Sequence, residues 1–405
     1  MHTPRIARVA VPIVVGALAL SACSSKSESG SSGSKTLTIG VVAPLSGDLK
    51  AVGNGIRNGV ELAVKQANAN KAVPGYTLTM DAQDDTGKAD VGATVAAKLV
   101  AETNVVGVVG PLNSSVAESV APVMDKADLT IISPSNSAID LTGRDKLAAG
   151  QTQVRPYKSY FRVCATDDIQ GPFGADYAVK TLGYKTIAVV DDQKAYGAGL
   201  AKAFAAEAAK DGAKVLKTET INPGDTDFSA LVTKLKAEKP DMVYYGGEYP
   251  EASLITKQMK GAGLNVPLMG GDGIQADGYL TVAKAAANGD LATSLGAPTS
   301  TLDSAKSFLA DYAAAKYADA ADPYGAAAFD AANAIIKALA KATSEKKSGQ
   351  ALRDEVTKEV QDSDFDGVTG KISFDQFGDT NNKVLTVYKV VGGKFTPAKT
   401  DTFNG

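Results

Sequence analysis

The sequence predicts an α/β protein built as two lobes of similar plan, on three observations. The chain has 405 residues, and at roughly 100–200 residues per domain that length implies two or three folded units. Short β-branched runs alternate with alanine-rich amphipathic stretches from residue 37 onward, the pattern of βαβ units around a parallel sheet covered on both faces. The alternation breaks off and then begins again at residue 186.

The first element is a leader. Arg5 and Arg8 precede an apolar run of twelve residues, 9–20, and Leu20-Ser21-Ala22-Cys23 follows. This charged, apolar, small-residue order is that of a secretory signal, and twelve residues are too few to span a hydrocarbon core of about 30 Å as a helix. One reading is a signal peptide cut at any small residue. Leu-Ser-Ala-Cys also resembles the bacterial lipobox, which implies cleavage after residue 22 and lipidation of Cys23. Residues 23–35 then form the lipidated cysteine and a Ser/Gly-rich tether, whose eleven residues 24–34 reach near 20 Å at about 5–6 Å times the square root of their number. The expected location is the extracytoplasmic face of the cell membrane.

Beyond the tether, 37–42, 78–83, 105–109 and 130–132 read as buried strands, with helices at 54–69 and 89–102. In the second helix Val91, Val95 and Leu99 recur at four-residue spacing and share a face. The second series has strands at 186–190, 242–245 and 266–269 and helices at 199–210 and 253–261. The alanine-rich stretch 302–340 holds two more helices that part near Asp322-Pro323, and strand character returns at 371–374 and 384–391.

Composition excludes several function classes. With 44% hydrophobic and 21% charged residues the chain can bury sizeable cores. The formal charge is −3; without the two leader arginines, 40 basic against 45 acidic side chains leave −5, with no basic block to grip nucleic acid. The sole histidine, His2, lies in the leader, so the mature chain has no Ser-His-Asp triad, no Cys-His pair and no histidine-ligated zinc. Two cysteines, Cys23 and Cys164, allow neither a four-cysteine metal site nor a disulfide framework. Cys164, among Phe161, Val163 and Ala165, reads as a small buried hydrophobe.

Two loops carry candidate chemistry. The strand 105–109 runs into Pro111-Leu112-Asn113-Ser114-Ser115, where Ser115 and Glu118 have capping-box spacing and announce a helix. The next strand runs into Ser133-Pro134-Ser135-Asn136-Ser137. Hydroxyls and amides at a strand end and helix start suit an anionic group; the first loop alone reads more simply as a plain helix cap, and the second loop on the same edge weakens that reading. Neither GxGxxG nor GxxxxGK[ST] occurs. Asp362-Ser-Asp364-Phe-Asp366-Gly367 imitates a calcium loop, but Ser373 stands where the bidentate glutamate belongs, so an acidic turn is expected and no metal. Asp191-Asp192 reads as a strand-end cap.

Tyr244-Tyr245-Gly246-Gly247-Glu248-Tyr249-Pro250-Glu251, Pro44-Leu45-Ser46-Gly47, Ile132-Ser133-Pro134, Asp167-Asp168-Ile169-Gln170-Gly171, Ala195-Tyr196-Gly197 and 367–375 (GVTGKISFD) together resemble the leucine/isoleucine/valine-binding proteins of ABC importers. The resemblance runs in order from 37 to 391. It implies the type I periplasmic-binding-protein fold: α/β, two Rossmann-like lobes joined by three crossing strands, with the cleft between lobes. By similarity the crossings fall near 164–167, 295–298 and 365–371, giving lobe 1 as 36–164 and 298–366 and lobe 2 as 165–297 and 367–405.

The resemblance further implies a lipid-anchored receptor that closes by hinge rotation on a free amino acid and hands it to permease and ATPase subunits, as a monomer, without enzyme activity or cofactor. The ligand carboxylate would meet Leu112, Asn113, Ser114, Ser135 and Ser137, within a loop that also holds Asn136. The ammonium would meet Ser135, Ser137 and Asp272, and Tyr196 would close over the ligand. An acid at one end and donors at the other suit a zwitterion, because a buried unpaired charge is costly.

Two positions depart from the family pattern: Val52 replaces an aromatic residue and Glu248 a tyrosine. Glu248 either meets a cationic or hydrogen-bonding ligand or points to solvent at the cleft mouth, so a cationic amino acid, a short amide or urea stays open as cargo, as does a sensor role. The family disulfide is expected to be absent, with Asp85 or Thr86 and Asn113 at its positions.

Overall fold

The computed structural model describes residues 35–403 apart from Ala149, so the expected leader, His2, Cys23 and the expected tether up to residue 34 lie outside the described residues, and Lys35, placed in the tether from sequence, opens the first strand. Among the described residues no helix is long and apolar enough to cross a membrane.

The first lobe is built on five parallel strands in the order β2-β1-β3-β4-β5: β1 (Lys35–Ala43), β2 (Tyr76–Asp84), β3 (Val105–Val109), β4 (Ile131–Ser133) and β5 (Tyr160–Arg162). Helices α1 (Lys50–Ala69), α2 (Ala89–Ala101), α3 (Ser114–Lys126) and the short α4 (Asp145–Ala148) lie in the connections. Every residue of β3 is buried, which is why its sequence is an unbroken apolar run rather than an alternation. Each such valine contributes about 1.5–3 kcal/mol relative to an exposed one.

The chain then enters the second lobe through α5 (Asp167–Asp176), which continues as a π-helical turn over Tyr177–Thr181. There follow β6 (Thr186–Asp191), α6 (Ala195–Lys210), β7 (Lys214–Val215), β8 (Glu219–Thr220), α7 (Ser229–Glu238), β9 (Met242–Gly246), α8 (Tyr249–Gly261), β10 (Leu268–Gly270), α9 (Asp277–Ala283) and β11 (Leu291–Leu295). It returns to the first lobe with α10 (Lys306–Ala315), α11 (Pro323–Ser344) and α12 (Gln350–Gln361). A hairpin of β12 (Asp364–Gly367) and β13 (Gly370–Ser373) follows. Finally β14 (Val384–Val391) and β15 (Lys394–Thr402) complete the second sheet in the order β15-β14-β11-β10-β9-β6-β7, with β8 also on β6. β14 pairs antiparallel with both β11 and β15.

Close packing places the ends of these elements. In α1 a side chain at Gly59 would collide with the Gly325 carbonyl, so glycine lets α11 lie against α1 and fixes the position of Tyr324 in its first turn. At the end of β3, Gly110 has φ +120°, and a Cβ there would strike the Val42 carbonyl. Glycine is therefore required for the turn that delivers residues 111–115.

Three local expectations are corrected. The capping box does not form: α3 starts at Ser114 with Asn113 preceding it and no side-chain cap. Ser115 Oγ instead accepts from Ala195 N of the other lobe at 3.2 Å, and Glu118 lies against Asp140, where burial and that neighbour raise its pKa. The buried stripe of α2 is Gly92, Ala96 and Leu99, with Val91 and Val95 at its edge, because Gly92 brings α2 close onto Val116 of α3. The acidic segment 362–367 ends in the β12–β13 hairpin, tied to α11 by Val368 N and Thr369 N donating to Asp330 at 2.8 Å.

Candidate functional site

The carboxyl ends of strands from both sheets face one another, the usual place for ligands in open α/β folds. From the first lobe come Leu112 and Asn113 after β3, Ser135 after β4, Leu49 and Val52 at the start of α1, and Tyr324 at the start of α11. From the second come Tyr196 of α6, Glu248 and Tyr249 after β9, and Asp272, Gly273 and Ala276 after β10. They enclose a cavity of about 30 Å³, room for one or two waters. A larger hollow of about 610 Å³ adjoins it along the cleft and shares Val52, Tyr249, Ala276 and Tyr324. Polar groups of both lobes converge on the inner one.

Asp272 is the centre of that convergence. It is 5% exposed; its Oδ1 accepts from Tyr196 Oη and Gln170 Nε2, both at 2.9 Å, and its Oδ2 from Tyr324 Oη at 2.7 Å across the cleft. Burial raises its pKa, and the hydrogen bonds from Tyr324, Gln170 and Tyr196 act against the rise. Tyr196 Oη also accepts from Gly273 N at 3.0 Å, which locks the ring over the cavity.

Opposite stand the two hydroxyl-rich loops. Ser133 Oγ donates to Pro111 O and accepts from Ser135 N and Asn136 N, which binds one loop to the other. Ser135 Oγ and Asn136 Nδ2 both donate to Leu112 O, at 2.9 and 2.8 Å. Arg162, fully buried at the end of β5, pairs with Asp379 at 2.6 Å and donates to Asn136 O, Ala138 O and Thr142 Oγ1. The guanidinium thus anchors the second loop from behind.

Of the residues named from sequence, Val52, Leu112, Asn113, Ser135, Tyr196, Glu248 and Asp272 line the cavity. Ser114, Asn136 and Ser137 are buried in the wall behind it. Ser114 Oγ accepts from Ala138 N at 3.4 Å, and Ser137 O from Asp167 N at 2.9 Å.

Glu248 does not point to solvent. It is 8% exposed, with Oε1 accepting from Asn113 Nδ2 and Oε2 from Lys194 Nζ at 2.6 Å. Asp85 and Asp192 flank this pair, each pushed up to about 7, first by burial and then by neighbouring charge, Glu248 included. Asp191 and Asp192 cap the turn after β6 by accepting from Gln193 N and Lys194 N. Cys164 is buried, and burial pushes its thiol up.

Sequence reasoning missed Tyr324, Gln170, Tyr249 and Lys194. Gln170 lay inside a quoted motif, and Tyr324 directly follows the Asp-Pro break, so each had a local signal but no role. Nothing in the chain marked Lys194 as the partner of Glu248, 54 positions away.

A family model described as periplasmic binding protein matches residues 36–394. The Leu/Ile/Val-binding protein BraC3 of Rhizobium johnstonii is 33% identical over 365 residues, 90% of this chain and 94% of that protein. The leucine-, isoleucine-, valine-, threonine- and alanine-binding protein of Pseudomonas aeruginosa is 31% identical, over 87% of this chain and 90% of that one. Among solved structures, the branched-chain amino acid transporter substrate-binding protein LivJ of Streptococcus pneumoniae, in complex with isoleucine, superposes with a TM-score of 0.78. It is 29% identical and covers 91% of this chain and 99% of its own. These relatives are solute-binding proteins of transporters rather than enzymes. With the two-lobed topology and a cleft at its strand ends, the chain belongs to the periplasmic binding protein family, on the branch of the Leu/Ile/Val-binding proteins of ABC transporters.

Proposed function

We propose that this protein captures a free branched-chain amino acid outside the cell, holds it by closure of the two lobes, and delivers it to an ABC permease while tethered through a lipid on Cys23. The observation that carries the reading is Asp272, a buried carboxylate held by Tyr196 and Gln170 and, across the cleft, by Tyr324, which lines the same small cavity as Asn113 just before α3. A zwitterion would place its ammonium on Asp272 and its carboxylate by Asn113 and Ser135, where the positive end of the α3 dipole favours an anion. Tyr324 would yield its bond to Asp272 Oδ2 to the ammonium as the lobes part and reclose. Leu49, Val52, Leu112 and Ala276 offer apolar surface for an aliphatic side chain. Glu248 carries its own counter-charge in Lys194, which argues against a cationic cargo.

Calorimetric titration of the full-length protein, unfolded and refolded to remove carried-over ligand, against the twenty amino acids, ornithine and urea tests the reading. Binding of leucine, isoleucine or valine ahead of the rest is expected. Preference for arginine, lysine or ornithine, or no binding across the panel, would overturn it.

A further inference from the structure

The Glu248 carboxylate lies on the rim of the cavity, and both of its oxygens are engaged by protein. Oε1 faces Asn113 of the first lobe, 135 positions away, and Oε2 faces Lys194 of its own lobe. Two further bonds cross beside it: Tyr249 Oη donates to Asp48 O, and Ala195 N donates to Ser115 Oγ. Residues 194–195 and 248–249 thus form one strip that meets residues 48, 113 and 115, and Glu248 is its charged member. A hydrogen bond to an ionised acceptor is about twice as strong as a neutral one, and Lys194 supplies the compensation that lets the carboxylate be buried.

We propose that Glu248 is an interlobe latch, with Lys194 as its positioning residue, and that the pair governs how long a ligand is held rather than which ligand is chosen. The inference rests on the reading of this cleft as the ligand site. A side chain bound in the cavity finds neither carboxylate oxygen free, and a cationic one also meets the Lys194 ammonium. Asn113 joins the latch to the ligand, because its amide belongs to the loop before α3 and lines the cavity. Closure and capture are coupled through that residue.

Stopped-flow binding of leucine to the full-length protein in detergent tests the latch in wild type, E248A, E248Q, K194M, N113A and the double variant E248A/N113A. Loss of a charge-assisted bond predicts a rise in koff of roughly tenfold to a hundredfold for E248A, with kon moving much less and the ranking of leucine, isoleucine, valine, arginine and glutamine unchanged. E248Q, which keeps an acceptor for Asn113 but presents an amide to Lys194, is expected between wild type and E248A. K194M raises koff by leaving the carboxylate unpaired. The double variant is expected to be no faster than the worse single variant, because both remove one contact. A change of ranking at constant leucine koff would make Glu248 a ligand contact, and additive effects of E248A and N113A would sink the latch. If wild type binds no amino acid, the cargo reading fails on its own. Spin-label distances between the lobes then decide: E248A shifting the distribution to larger separations supports the latch, and an unmoved distribution refutes it.

Discussion

Asp272→Asn removes a charge from the cleft while preserving its shape. An asparagine Oδ1 in the same place keeps the bonds from Tyr196 and Gln170, and its Nδ2 faces the Tyr324 hydroxyl, which can turn to accept. The fold loses little, since the carboxylate it replaces is buried at the cost of a raised pKa. The ligand loses much more. Removing one partner of a buried, hydrogen-bonded charge pair costs about 2–5 kcal/mol, which at about 1.4 kcal/mol per tenfold is a Kd raised roughly 30-fold to several-thousand-fold. Titration calorimetry with leucine reads the effect, and urea melts of both proteins report the fold. A second signature is proton linkage: an ammonium needs the carboxylate ionised, so wild-type affinity should weaken as pH falls through the raised Asp272 pKa while the variant's stays flat. A Kd within threefold of wild type in a folded D272N would refute the ammonium role, whatever the cargo.

Other perturbations test the surroundings. The Asp85 and Asp192 carboxyls sit at about 7 in the folded protein against 3.8 when free of it, so folding takes up protons between those values and their contribution falls as pH rises through that window, then levels off above 7. Urea midpoints at pH 5 and pH 8 should therefore differ less in D192N than in wild type, and an equal difference would disprove the link. Arg162→Met takes the closest counter-charge from the buried Asp379, leaving it Arg144 at 3.8 Å and the Thr142 hydroxyl at 3.1 Å, an expected loss of up to about 3–5 kcal/mol in urea melts, with weaker leucine binding because the loop through Asn136 and Ala138 loses its anchor. A loss under 1 kcal/mol would show the pair dispensable. Cys23→Ala should move the protein from the membrane to the soluble fraction with leucine Kd unchanged, and retention in the membrane would argue against the lipid anchor.

Much of the architecture is readable from the chain because its causes are local. The unbroken apolar run 105–109 marks a strand covered on both faces, and the ranges 105–109 and 384–391 match β3 and β14 residue for residue. The Asp322-Pro323 break falls at the start of α11. The hydroxyl-rich loops, Tyr196 and Asp272 could be named because strand ends, turn residues and family motifs identify them in place.

Partnership across the cleft was not legible, because it depends on which strand ends the two sheets bring face to face. Nothing within a few residues of Glu248 says that Lys194 will neutralise it and Asn113 will meet it, so the sequence left it open between a ligand contact and a side chain facing solvent at the cleft mouth. Tyr324 reaches Asp272 from 52 positions away because glycines let α11 approach α1. Ser115 lost its expected capping role to a bond from the other lobe, and Ser114 and Ser137 turned into the wall. Periodicity and turn chemistry determine which elements form and which faces they bury. The choice of hydrogen-bond partner for a buried polar side chain is settled by packing, since each group takes the nearest partner left once the cores have closed.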